Sequence, residues 1–238
     1  MKKKKIFKTK IFCDSANLNE IQELNKSPLV SGFTTNPSLM RISGAKNYKN
    51  YSLKILKVCK SKPVSIEVIA DNFEKIEKQA HEIKSWAKNV YVKIPVINSK
   101  GFFSGKLIQK LSYQGFNLNI TAVYTVKQVN KIIKCLNKKS NTIISIFAGR
   151  MADVGKDPIP IIQKSVNMTK GLKKVQILWA STREAYNYTQ ARDCGCQIIT
   201  MPPKIINKIS KFGKSFNALT LDTVDTFYKD AKKAKFKI

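Results

Sequence analysis

Histidine is almost missing from this chain: His81 is the only one in 238 residues. A zinc site built on histidines and a nucleophile–histidine–carboxylate triad both need imidazole beside other functional groups. His81 lies in the helical stretch 72–87 and is read as a helix-borne surface residue, which sets both classes aside. Cysteines 13, 59, 135, 194 and 196 are odd in number and lack framework spacing, so reduced thiols are expected rather than a disulfide scaffold. Cys194-Gly195-Cys196 has no companion ligands, and Cys13 points away from Asp14 by strand alternation. No apolar run approaches the roughly 18 residues of a membrane span. The basic start, Met1 to Lys8, is not followed by an apolar segment, so no secretory leader or anchor is expected and the cytoplasm is the expected compartment. Neither a G-x-G-x-x-G fingerprint nor a P-loop is present to nominate a dinucleotide or nucleoside triphosphate site.

Negative charge is also scarce, with 15 acidic residues against 44 basic ones and a formal net charge of +29. Arginine occurs only at positions 41, 150, 183 and 192; the other basic residues are lysines spread along the whole chain. No aromatic-interleaved basic patch accompanies them, so no specific nucleic-acid partner is expected. Attraction of anionic phosphorylated metabolites is the simpler consequence of the charge.

What the chain does have is alternation. Short β-branched runs cover Lys10–Asp14, Gly32–Thr35, Val64–Val68, Val90–Ile94, Asn117–Thr121, Ile143–Phe147, Val175–Ala180 and Gln197–Thr200. Between them apolar residues recur at three- and four-residue spacing, as in Tyr51, Ile55 and Val58, or Val129, Ile132, Ile133 and Leu136. Asn72, Thr125 and Thr182 are expected helix N-caps, and Gly115 and Gly195 helix stops. Strands alternating with helices imply right-handed βαβ units and a parallel sheet. Eight units in this length match a single (β/α)8 barrel, with an open doubly wound sheet as the competing arrangement. Residues 1–9 form a basic N-terminal extension in this reading, and 220–235 an additional amphipathic C-terminal helix.

Chemistry on such a barrel collects at the C-terminal ends of the strands. Lys93 stands in the apolar run Val90-Tyr91-Val92-Lys93-Ile94-Pro95. A buried ammonium must be paired or become neutral, and a neutral amine is a nucleophile toward carbonyls. The competing reading is a lysine whose stem is buried and whose head reaches water. Asp14 and Glu67 are the only acidic residues within or at the end of a predicted strand. Hydroxyl and amide side chains mark other strand ends, including Asn119, Thr121, Ser145 and Ser181. Arg150 and Arg183 follow the sixth and seventh strands, where guanidinium forks suit phosphate. Pairing with helix carboxylates such as Glu184 or Asp153 is the alternative for these two.

In these motifs the chain resembles the transaldolases, in particular the short transaldolase and fructose-6-phosphate aldolase branch. Thr34-Thr35-Asn36-Pro37-Ser38-Leu39-Met40 is the most specific element. Val92-Lys93-Ile94-Pro95, Asn119-Ile120-Thr121, Phe147-Ala148-Gly149-Arg150 and Ala180-Ser181-Thr182-Arg183 follow in the family's order. The resemblance implies that Lys93 forms a Schiff base with a ketose carbonyl. Asp14 would move the proton at the hydroxyl where the carbon–carbon bond breaks, and Glu67 with Thr121 would hold a water for proton transfer. It further implies that Asn36, Asn119 and Ser145 hold the dihydroxyacetone portion and that Arg150, Ser181 and Arg183 bind phosphate. No metal or cofactor is implied. The expected function is transfer of a dihydroxyacetone unit between sugar phosphates by a homo-oligomer; the alternative is an aldolase releasing dihydroxyacetone or acting on another sugar phosphate. Glu67 with Phe147 resembles the transferase choice, since the aldolase branch more often carries glutamine and tyrosine there. Departures from the family pattern are Phe33 before the Thr-Thr-Asn-Pro core, and Ile97 and Asn98 with Gly101 one residue late.

Overall fold

The computed structural model describes residues 9–238, so all but Thr9 of the expected basic extension lies outside the described residues. Eight parallel strands close into a barrel: β1 (Lys10–Asp14), β2 (Val30–Thr34), β3 (Val64–Glu67), β4 (Val90–Pro95), β5 (Leu118–Val123), β6 (Thr142–Ile146), β7 (Val175–Trp179) and β8 (Ile198–Met201). Closure is made by β8 against β1, with Phe12 opposite Thr200. That ladder rules out the open doubly wound sheet.

Strand alternation sorts the barrel interior into layers, because residues two apart share a face. Phe12, Ile143, Leu178, Ala180 and Ile198 form a buried apolar cluster, against which Tyr91 and Phe147 pack. Two residues beyond Phe12, Tyr91, Ile143 and Ile198, the same faces carry Asp14, Lys93, Ser145 and Thr200. The polar layer therefore rests on an apolar plug. Register sets its neighbours: Asp14 is opposite Thr34, Glu67 opposite Lys93, Lys93 opposite Asn119, and Pro95 opposite Thr121.

The outer helices start where the sequence offers capping side chains. Asn72 Oδ1 accepts from the Glu74 and Lys75 amides. Thr125 and Gln128 form a reciprocal capping box. Gly115 and Gly195 follow helices with φ of +72° and +74°. Thr182 is a correction: the next helix is Asn187–Asp193 with Tyr186 at its N-cap. The Thr182 hydroxyl instead donates to the Thr200 carbonyl at 2.7 Å, so it ties two strand ends together.

The chain divides into a barrel unit ending at Ile206 and a second unit, Asn207–Ile238. The second contains the helix Phe216–Ala234, which begins earlier than expected because the Ser215 hydroxyl caps the Ala218 amide. Among the described residues no helix is long and apolar enough to cross a membrane.

Candidate active site

At the C-terminal end of the barrel lies a cavity of about 200 Å3. Lys93 is on its wall and is only 6% exposed. Its Nζ donates to the Thr35 carbonyl at 3.0 Å and pairs with Glu67 Oε2 at 3.1 Å. Glu67 comes from β3, which register places beside β4, and Thr35 directly follows β2 one strand further round, so the ammonium is held without reaching bulk water. The snorkelling reading of Lys93 is thereby excluded.

Asp14 enters the cavity from β1. Burial is the largest influence on its carboxyl and pushes the pKa above the usual carboxylate range, against the opposing pull of Lys93 and the Thr34 hydrogen bond. Thr34 Oγ1 donates to Asp14 Oδ1 at 2.7 Å and lies 2.5 Å from Thr200 Oγ1. Thr121 brings a hydroxyl from β5 that is buried and has no hydrogen-bond partner. Just beyond it Ala122 adopts φ +58° and the β5–β6 register shifts, so the chain bulges where Thr121 meets the cavity.

Below the surface the amides are connected. Ser145 Oγ donates to Asn119 Oδ1 at 2.7 Å, and Asn119 Nδ2 donates to Ser65 Oγ at 3.0 Å. Asn119 is fully buried and supports Ser145, which does line the cavity. Asn36 lines the cavity too, while its Oδ1 caps the following helix by accepting from Leu39 N at 2.9 Å. Glu67 and Asn119 are thus behind the cavity wall, whereas the other eight expected site residues line it.

The rim is built by the short helix Ala148–Ala152 against the segment after β7. Gly149 permits this approach: a Cβ there would lie 1.5 Å from the Ser181 carbonyl oxygen. Ser181 itself is held at φ +64°. Arg150 projects from that helix, its guanidinium 5.6 Å from the Phe147 ring centroid. Arg183 also lines the cavity, but its Nε and Nη2 are engaged by Asp153, with N–O distances of 2.9, 3.2 and 2.5 Å. The carboxylate alternative therefore holds for Arg183 without removing it from the site.

Sequence reasoning missed Thr34, Thr200 and Ser65 as parts of this network. A signal was available for the first two, since each is a hydroxyl residue at the C-terminal end of a predicted strand. The remaining candidates serve packing. His81 stacks edge-on against Phe116 at 5.0 Å. Cys196 is buried, with its thiol pushed up to about 12 chiefly by desolvation. All five cysteines are free. Among the described residues no group of three or more histidine, cysteine or acidic side chains is gathered where a metal ion could sit.

The fold and the site define a class: a closed (β/α)8 barrel with a buried lysine–carboxylate pair beneath a cavity rimmed by arginines. The profile of the family described as transaldolase/fructose-6-phosphate aldolase matches residues 11–238, and the chain belongs to that family. Relatives named probable transaldolase are similar over nearly full length. The Dehalococcoides mccartyi protein is 35% identical, covering 83% of this chain and 88% of its own. The Nitrosopumilus maritimus protein is 32% identical, covering 95% and 96%. Solved barrels share the fold alone. N-acetylneuraminate lyase from Mycoplasma synoviae superposes with a TM-score of 0.53 at 11% identity, covering 92% of this chain and 80% of that one. Orotidine 5'-monophosphate decarboxylase from Metallosphaera sedula gives 0.55 at 9% identity, covering 86% and 96%.

Proposed function

We propose that this chain is a Schiff-base transaldolase moving a dihydroxyacetone unit between sugar phosphates. The observation that carries the proposal is Lys93, a buried amine beside a cavity that also receives Asp14, Thr121 and two arginines. The Lys93 amine adds to the ketose carbonyl, and the carbinolamine loses water to give a protonated imine. Asp14 removes the proton of the hydroxyl on the next carbon but one. The bond joining that carbon to the one beside the imine carbon breaks, its electron pair passes to the imine, and an aldehyde leaves. The resulting enamine attacks an acceptor aldehyde, which takes a proton back from Asp14, and water releases the new ketose.

Glu67 and Thr121 suit the dehydration step. One is a carboxylate 3.1 Å from the amine, and the other is a hydroxyl with no partner of its own, so a water between them could shuttle protons. Ser145 and Asn36 present polar groups to the three-carbon portion, and Arg150, Ser181 and Arg183 to the phosphate. The choice of transfer over simple cleavage rests on Glu67 and Phe147.

Borohydride trapping with fructose 6-phosphate, followed by mass mapping, tests the reading. The adduct is expected on Lys93 and should vanish in Lys93→Arg, which keeps the charge but not the nucleophilic amine. A full yield of adduct on another lysine would refute it. Adding an aldose phosphate acceptor should then yield a new ketose phosphate; free dihydroxyacetone as the sole product would make the enzyme an aldolase.

A further inference from the structure

The cavity rim contains a carboxylate that has no role in the proposed chemistry. Asp153 sits at the end of the helix Ala148–Ala152, three residues after Arg150, and does not line the cavity. Its two oxygens take the Nε and Nη2 of Arg183, which comes from the segment after the next strand. The two side chains are 46% and 48% exposed. An ion pair that open to water contributes little to folding stability, so holding the fold together is a poor account of a three-contact arrangement. A bidentate pair does fix the plane of a guanidinium. The backbone of Arg183 is fixed as well, because its amide and that of Glu184 both donate to Asn187 Oδ1, at 3.0 and 3.2 Å.

We infer that Asp153 is a positioning residue for the anion site: it clamps one edge of the Arg183 guanidinium so that the remaining N–H groups face the cavity before substrate arrives. A planar fork carries five donors, and the contacts with Asp153 leave Nη1 and one hydrogen of Nη2 available. The ion pair also keeps Asp153 charged, since the Arg183 hydrogen bond holds its carboxyl below the usual range. One short helix thus supplies Arg150 directly and orients Arg183 indirectly. Both arginines are organised by a single element, with Gly149 letting it close against Ser181.

A carboxylate that occupies the fork also competes with a phosphate for it, which acts in the opposite direction. The geometry favours positioning: Asp153 takes the Nε edge, while Arg183 still contributes to the cavity wall. The inference rests on the proposal that the arginines bind the substrate phosphate.

The test compares kcat/KM for fructose 6-phosphate and for unphosphorylated fructose as donors in Asp153→Asn, Asp153→Glu and Arg183→Lys. In Asp153→Asn the phosphorylated-to-unphosphorylated ratio should fall about 3- to 10-fold, through KM rather than kcat, as expected when a long side chain must be ordered during binding. Asp153→Glu should restore part of the ratio. An unchanged or increased ratio in Asp153→Asn, with Arg183→Lys reducing it, would overturn the positioning role alone. An unchanged ratio in Arg183→Lys would overturn the phosphate reading beneath it.

Discussion

Replacing Gly149 by alanine is the most severe test of how the rim is assembled. The added methyl would begin 1.5 Å from the Ser181 carbonyl oxygen, 2.7 Å from its carbonyl carbon and 3.2 Å from the Arg183 Cγ. Relief to an unstrained contact of roughly 3.5 Å requires about 2 Å of movement. The obstacle is backbone, so no rotamer change can supply it. Overpacking of this kind costs about 3 kcal/mol, the upper part of the usual range, which corresponds to a loss of roughly 6–12 °C in Tm for a chain of this size. The displaced helix carries Arg150 and Asp153 with it. A misplacement of about 1 Å can cost roughly 100-fold in rate, so kcat/KM for the phosphorylated donor should fall by at least that much. Gly155→Ala is the control. Gly155 has φ +72° and nothing within 4 Å of its added Cβ, so alanine strains the backbone without striking a neighbour. It should cost about 1–2 kcal/mol and spare the donor's KM. Thermal melts and steady-state kinetics on the two variants separate lost stability from lost geometry. Parental Tm and KM in Gly149→Ala would refute the packing argument.

Further outcomes follow from the buried polar layer and from the ligand set around it. Asp14→Asn should melt higher than the parent at neutral pH. The folded state favours the neutral carboxyl, so that stability is complete below the ordinary value of 3.8 and is lost as pH rises through the elevated folded value; the Tm gap should close on acidification. The same variant should lose at least roughly 100-fold in kcat if Asp14 moves the proton, and a parental rate would end that assignment. Thr121→Val removes a buried hydroxyl without a partner, so Tm should hold or rise while adduct formation in a single turnover slows about 10-fold; a fall of many degrees would mean that the hydroxyl is bonded. Activity should survive exhaustive dialysis against a strong chelator, and a loss reversed by zinc or magnesium would move the chemistry to metal-dependent aldol cleavage.

The barrel was legible because each strand run has its own turn signals and the polar residues fall at the strand ends. β1 was placed without error, since Asp14 marks its end. β2 begins at Val30, two residues earlier than expected, because Ser31 interrupts the apolar run where the β1–β2 register shifts, while Val30 before it still pairs with Ile11. β5 runs on to Val123 through the bulge at Ala122, and a single positive φ leaves no mark in the sequence. Thr182 carries a capping residue's signature, yet its hydroxyl is taken by the Thr200 carbonyl, a partner that exists only once β7 and β8 lie side by side. Thr34 meeting Thr200 is the same kind of event, because it requires the barrel to close. Local chemistry was visible in one dimension. Contacts made by closure were not.

The arginines show where composition stops being a guide. In a chain that overwhelmingly uses lysine, each arginine invites a geometric explanation, but pairing with a carboxylate does not by itself mark a site. Arg192 also pairs with an aspartate, its own neighbour Asp193, and neither residue lines the cavity that holds Lys93. Arg183 differs in three respects: its partner comes from another βα unit, its backbone is locked by Asn187, and it borders the cavity that holds Lys93. The diffuse lysine field cannot replace that arrangement. At physiological ionic strength its reach is about 8 Å, and it draws any polyanion toward any face of the molecule. It can raise encounter rates, whereas the distinction between a sugar phosphate and another anion has to be made by donors fixed at the rim and an amine fixed below them.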